Sequence, residues 1–205
     1  MRVAMALLAV LVLAQCAGRE DRRFQIGQAE TGFVIIGLAE AARSAEPAYA
    51  MLWRRLDPAV GGFGEWERDA AFEARTNERG TLRVRNIPGE FTMVEVPAGV
   101  YALDSVYAAV DDRRVTYFAN GVVEGPLRPS FLINPGEAVY LGIWRVELEG
   151  ARAVGSLWRQ ERDDLRAIIN ASDAVAGDVR IREISERVAP CNPQRMGATT
   201  QREIC

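Results

Sequence analysis

The chain reads as a mainly β protein, an antiparallel β-sandwich carrying one C-terminal helix, on three observations. One turn device occurs twice, Pro97-Ala98-Gly99-Val100-Tyr101 and Pro135-Gly136-Glu137-Ala138-Val139-Tyr140, each time ahead of a β-prone run. Proline presets φ for a turn and glycine accepts the positive φ that a turn can require, so each copy reverses the chain before a strand. Turn residues also punctuate the sequence at short intervals from Gly32 to Arg159, as many short strands demand. Helical spacing enters only later, in Leu165, Ile168, Ile169 and Ser172, which predicts one helix behind Asp163 and Asp164 as N-caps. A partly closed barrel would produce the same signals.

In chain order, the first element is a leader. Arg2 opens it, Val3 to Ala14 is an unbroken apolar run, and Leu13-Ala14-Gln15-Cys16 follows. The run is too short to span a bilayer and has the length of a secretory signal core. The segment resembles a bacterial lipobox through Leu13, Ala14 and Cys16, with Gln15 where Gly, Ala or Ser is usual. That resemblance implies removal of residues 1–15 and lipidation of Cys16, and Ala17 in the next position implies sorting to the outer membrane. Ordinary cleavage nearby, releasing a soluble periplasmic protein, is the alternative.

Residues 16–31 then form a tether, and the sandwich domain with its helix is expected over 32–186. Gly32 to Leu38 is continuously apolar, the pattern of a strand buried on both faces. Ala39 to Ala50 is interrupted by Pro47 and reads as a loop or helical turn, and Tyr49 to Asp57 as the second strand. Pro58 to Gly64 is a glycine-rich turn, residues 65–80 carry no clear period, and Thr81 to Arg85 alternates like a half-buried strand before Pro88-Gly89 turns the chain into Phe91 to Val96.

The first turn device launches Val100 to Val110, with Tyr101, Leu103 and Tyr107 on one face and Val100, Ala102, Asp104, Val106 and Ala108 on the other. Val115 to Phe118 follows, and Asn120-Gly121 is a favoured two-residue hairpin turn. Phe131 to Ile133 leads into the second device and the strand Ala138 to Leu148, which turns at Glu149-Gly150 into Ala151 to Arg159. Strict alternation places Leu103, Tyr140, Trp144 and Val146 in one core. Asp178 to Ile184 reads as extended, and 187–205 as a loose tail. With Cys16 consumed by lipid, Cys191 and Cys205 remain to clip that tail as a disulfide in an oxidising compartment, unless the end frays.

The two devices, Pro97 to Leu103 and Pro135 to Gly142, are similar to those of a broad group of uncharacterised proteobacterial envelope lipoproteins, which carry a small β-sandwich domain with P-x-G-x-Y-x-L and P-G-E-x-x-Y-L-G strand motifs. The resemblance implies a structural or protein-interaction role in the cell envelope, at a membrane through the lipid anchor and against other envelope proteins. It brings no catalytic residue and no cofactor.

Composition narrows the chemistry further. The chain has no histidine, and all 25 of its basic residues are arginine. His-dependent triads, His-containing zinc sites, P-loops and Schiff-base chemistry are excluded. The formal net charge of −3 works against nucleic acid as a partner.

Four residues stand out as weak binding candidates. Asp104 is a carboxylate on a strand face otherwise made of Val and Ala; that face is either an outer one open to water or a buried one that supplies a partner, most readily an arginine. Glu137 sits inside the second turn, where it can bind nearby N–H groups. Tyr101 and Trp144 either fill the core or belong to an aromatic face that takes a sugar or peptide, the basis of an alternative reading as a periplasmic binder of a small ligand.

Overall fold

The computed structural model describes residues 23–39, 48–77, 79–111, 116–198 and 200–205. The leader, Cys16 and most of the segment expected as a loop or helical turn before the second strand lie outside the described residues. The elements are β1 (Phe24–Gln25), β2 (Thr31–Ala39), β3 (Ala48–Asp57), β4 (Gly62–Phe63), a 3-10 turn (Arg68–Ala70), β5 (Ala71–Arg75), β6 (Glu90–Pro97), β7 (Gly99–Asp111), β8 (Thr116–Val122), β9 (Leu127–Ile133), β10 (Ala138–Glu149) and β11 (Arg152–Arg159). A helix, α1 (Arg162–Asn170), is followed by β12 (Val175–Ala176), β13 (Arg180–Ile181), β14 (Ser185–Val188), β15 (Gln194–Arg195) and β16 (Glu203–Ile204).

Two packed sheets make the expected mainly β, sandwich-like fold. The first runs β11-β10-β2-β6, with β13 beside β10; the second runs β14-β9-β7-β3-β4, with β5 on β3 and β8 on β7. Most pairs are antiparallel, but β2 and β10, at the centre of the first sheet, run parallel. Parallel central strands are characteristically covered on both faces. Accordingly, one face of β2 (Val34, Ile36, Leu38) enters the core between the sheets, and the other (Phe33, Ile35) packs with Leu165 and Ile168 of α1. This double burial is why Gly32 to Leu38 shows no alternation.

Both strands launched by the Pro-Gly devices contain a β-bulge. Leu52 faces Ser105 and Trp53 faces Leu103, so Asp104 is the extra residue in β7. Tyr140 faces Ile35 and Ile143 faces Gly37, which puts one extra residue into β10 around Gly142. Gly142 has φ of +84°, and a Cβ there would lie 2.8 Å from the Arg159 carbonyl oxygen, so the bulge needs glycine.

A bulge reverses which residues point inward. In β7 the core takes Tyr101 and Leu103 before the bulge, then Val106 and Ala108 after it; in β10 it takes Val139 and Leu141, then Trp144 and Val146. The expected single core of Leu103, Tyr140, Trp144 and Val146 is therefore corrected: Tyr140 lies in the second cluster, under α1. The tyrosines of the two devices differ for a related reason. Tyr101 follows Pro97 by four residues and its hydroxyl donates to the Pro97 carbonyl at 2.9 Å, whereas Tyr140 follows Pro135 by five, faces the other side, and its hydroxyl has no partner among the described residues.

Three further expectations change. Thr81 to Arg85 is not a strand; only Leu82 bridges Phe91, although Leu82 and Val84 do pack inward as their alternation suggested. Asn120-Gly121 does not turn the chain but continues β8 opposite Tyr107 and Val106, because Gly121 is needed for contact: a Cβ there would lie 1.9 Å from the Ala153 carbonyl oxygen. Asp163 and Asp164 sit in the first turn of α1 rather than at its cap, which is Glu161. Asp164 instead accepts from Arg159 Nε at 2.7 Å, closing α1 against the end of β11.

Candidate functional site

The bulge at Asp104 turns its carboxylate away from the main core, toward the opposite face of the second sheet. Arg54 is on that face of β3, between inward-facing Trp53 and Arg55, and Arg128 reaches it from β9. Open to water, these charges would be unremarkable. Instead Asp104 and Arg128 are fully buried and Arg54 is only 3% exposed, because the tail from Ala189 to Cys205 lies across them.

Each charge is satisfied, mostly by main chain. Arg54 Nη1 donates to Asp104 Oδ2 and to the Cys205 carbonyl, both at 3.0 Å, and its Nη2 donates to Gly64 O at 2.7 Å. The Cys205 N–H approaches both Asp104 oxygens at 3.2 Å. Arg128 donates to the carbonyls of Ala189 (2.9 Å), Leu103 (3.3 Å), Asp104 (3.1 Å) and Val123 (2.7 Å). Phe63 and Trp66 present rings 5.1 and 5.4 Å from the Arg54 guanidinium, and Phe63 also lies 5.4 Å from that of Arg128. Burial pushes the Asp104 carboxyl above its ordinary range, opposed by Arg54 and the Cys205 N–H, and pulls the Arg128 guanidinium down, opposed by Asp104.

Cys191 and Cys205 form a disulfide, with Cα atoms 4.8 Å apart, as their count suggested. The tail has a second anchor. Arg202 lies 3.9 Å over the Tyr107 ring and pairs with Glu73, which also accepts from Arg75. Burial works to raise Glu73, but Arg202 and Arg75 outweigh it and hold the carboxyl below its ordinary value.

The opposite shifts of Glu73 and Asp104 have opposite consequences. The Glu73 contribution is present above its unfolded pKa and is lost as pH falls through the lower folded value. Asp104, raised by folding, contributes most below its unfolded pKa and loses that contribution as pH rises toward the folded one. Acidification from pH 7 to about 3.5 should therefore weaken the Arg202 anchor and not the Asp104 one. Urea denaturation at both pH values is the check: the Glu73→Gln variant should lose less stability on acidification than the wild type, and an equal loss would exclude Glu73 as a source of the acid sensitivity.

The remaining candidates have structural duties. Tyr101 and Trp144 are both in the core, Tyr101 stacked on Phe131 at 5.5 Å and Trp144 edge-on to Trp53 at 5.3 Å, so neither offers an aromatic outer face. Glu137 closes its own turn by accepting from Asn134 N at 3.1 Å and also pairs with Arg182. For Asp104 the open outer face is corrected: the face is closed by the tail. Arg54, Arg128 and the tail contacts were missed. An arginine placed between Leu52, Trp53 and Leu56 was the one available signal for Arg54.

Arg54 also lines a cleft of about 820 Å³, together with Arg55, Asp57, Glu65, Val100 and Arg187. Its charges are of both signs. Among the described residues no group of three His, Cys, Asp or Glu could hold a metal ion, and no helix is long and apolar enough to cross a membrane. No family model matches the chain, and neither a curated protein nor a solved structure matches it.

Proposed function

We propose that this chain is a non-enzymatic module of the bacterial cell envelope, held at a membrane by a lipid on Cys16 and acting by contact with other envelope proteins. The observation that carries the compartment is the Cys191–Cys205 disulfide, which belongs to an oxidising space such as the one the leader of residues 1–15 addresses. The non-enzymatic part rests on side-chain chemistry. The chain lacks histidine and lysine, and its fully buried carboxylate, Asp104, is held by Arg54 and the tail rather than facing a cleft. A protein partner is preferred to a small ligand because Tyr101 and Trp144, the rings that would form a ligand platform, are in the core.

Fractionation of cells expressing the wild type and Cys16→Ser tests the anchor. The wild type should partition with membranes and the variant should be released. An unmodified N-terminus downstream of Cys16 in the wild type, read by mass spectrometry, would remove the lipid and leave a soluble periplasmic protein. Crosslinking in intact cells tests the partner half, with a defined envelope protein as the expected product.

A further inference from the structure

We propose that the face of the second sheet beneath the tail is a docking site for an extended polypeptide main chain, occupied in the oxidised protein by the chain's own residues 189–205 and opened by reduction of Cys191–Cys205. The inference rests on the reading of the chain as a protein-interaction module and names the surface it would use.

The floor of the site is built for backbone. Arg54, Asp104 and Arg128 form a charged floor inside the protein, and the hydrogen bonds they make to the tail go to main-chain atoms: the Cys205 N–H, the Cys205 carbonyl and the Ala189 carbonyl. A peptide that presents an N–H and two main-chain oxygens at those places would offer them the same hydrogen-bond partners. Simple opening is disfavoured, since it leaves these charges without the partners that replaced water. Exchange for another main chain carries no such cost.

The disulfide is what makes the tail the preferred occupant. Cys191 adjoins the segment that meets Arg128, and Cys205 is itself the residue that meets Arg54 and Asp104, so the bond ties the two contact points together across a sequence separation of 14. Between them most of the tail is exposed, with Ile204 its main apolar anchor. Cutting the bond turns one tethered occupant into a strand whose local concentration at the floor falls. The bond is within reach of a reductant, because a surface groove lined by Phe63, Glu65, Pro190 and Gln194 leads to both cysteines. A dithiol of the thiol–disulfide exchange class supplies the two electrons. Its thiolate attacks the Cys191 sulfur, forming a mixed disulfide as the S–S bond breaks and Cys205 leaves as a thiolate that takes a proton. The second thiol of the reductant then resolves the mixed disulfide, leaving two thiols on the chain and the reductant oxidised.

The test uses the full chain, oxidised and after dithiothreitol. The probe is a fluorescein-labelled synthetic peptide of residues 189–205 carrying Cys191→Ser and Cys205→Ser, followed by anisotropy. Amide hydrogen exchange of residues 201–205 and near-UV circular dichroism are recorded alongside. The oxidised chain should not bind the peptide. The reduced chain should bind it, should keep its near-UV spectrum, and should exchange its tail amides faster by about 100-fold, the scale on which tethering raises local concentration. Reoxidation should expel the peptide. Equal tail protection in both redox states, no peptide binding to the reduced chain, or loss of the near-UV spectrum on reduction would each overturn the proposal. Crosslinking in cells reads the interaction role without reference to this site, so failure here leaves that role standing or falling by its own result.

Discussion

Replacing Asp104 with alanine should destabilise the protein by about 3–5 kcal/mol, the cost of leaving a buried charge without its counter-charge. Two guanidinium groups depend on this carboxylate. Arg54 touches it at 3.0 Å, and Arg128, fully buried, has carbonyl oxygens and the Phe63 ring as direct partners and takes its electrostatic support from Asp104. Removal also strips the Cys205 N–H of its acceptor, so the end of the tail should loosen first. Asp104→Asn keeps an acceptor for that N–H but not the charge, and should fall between the wild type and alanine. Pairing Asp104→Leu with Arg54→Met should recover much of the loss, because replacing a buried pair with apolar groups is often neutral or better. Urea denaturation of the four proteins decides the matter. A loss below about 1 kcal/mol for Asp104→Ala would show that the guanidiniums find water and that the network is not closed.

Trp144→Ala should also cost about 3–5 kcal/mol, through the cavity left by a large side chain that is 2% exposed. The midpoint of thermal unfolding should drop by on the order of 10 °C in a domain of this size. The indole does more than fill space. Its Nε1 donates to the Leu141 carbonyl at 3.1 Å, meeting an acceptor beside the bulge in β10. Trp144→Phe keeps most of the volume and loses that bond with part of the ring, so it should cost less than alanine, about 1–3 kcal/mol. Calorimetry on both variants separates packing from the hydrogen bond, and an unchanged midpoint for Trp144→Ala would place the ring outside the core.

The sequence was legible where a residue's role is set by its neighbours in the chain. The turn devices, the apolar run of β2, the β10–β11 hairpin at Glu149-Gly150 and the position of α1 all follow from local pattern, and the few cysteines of the chain point to the pairing of Cys191 with Cys205. Thr81 to Arg85 and Asn120-Gly121 have the right local chemistry for a strand and a hairpin, but their outcomes were decided by what packs against them. The bulges were not legible either. Neither Asp104 nor Gly142 announces an extra residue in its strand, and alternation read through them puts on one face residues that lie on opposite faces, as it does for Tyr140 and Trp144. Asp104 stands out in the sequence as a carboxylate among Val and Ala, which either an open outer face or an arginine partner explains. What covered it came from a polar tail about a hundred residues away, whose sequence has almost no apolar signal of its own.

The two bulges also constrain how this protein can change length over evolutionary time. A single-residue deletion at Asp104 or Gly142 would remove the bulge and restore unbroken alternation, with Leu103 and Val106, or Leu141 and Trp144, still facing the core. A single insertion or deletion elsewhere in either strand would instead turn every residue beyond it to the opposite face. Loops such as Glu149-Gly150 carry no such parity and can absorb added residues one at a time. Homologous chains should therefore vary in length at their turns, and a one-residue difference between Pro97 and Ala108, or between Pro135 and Val146, should fall at the bulge.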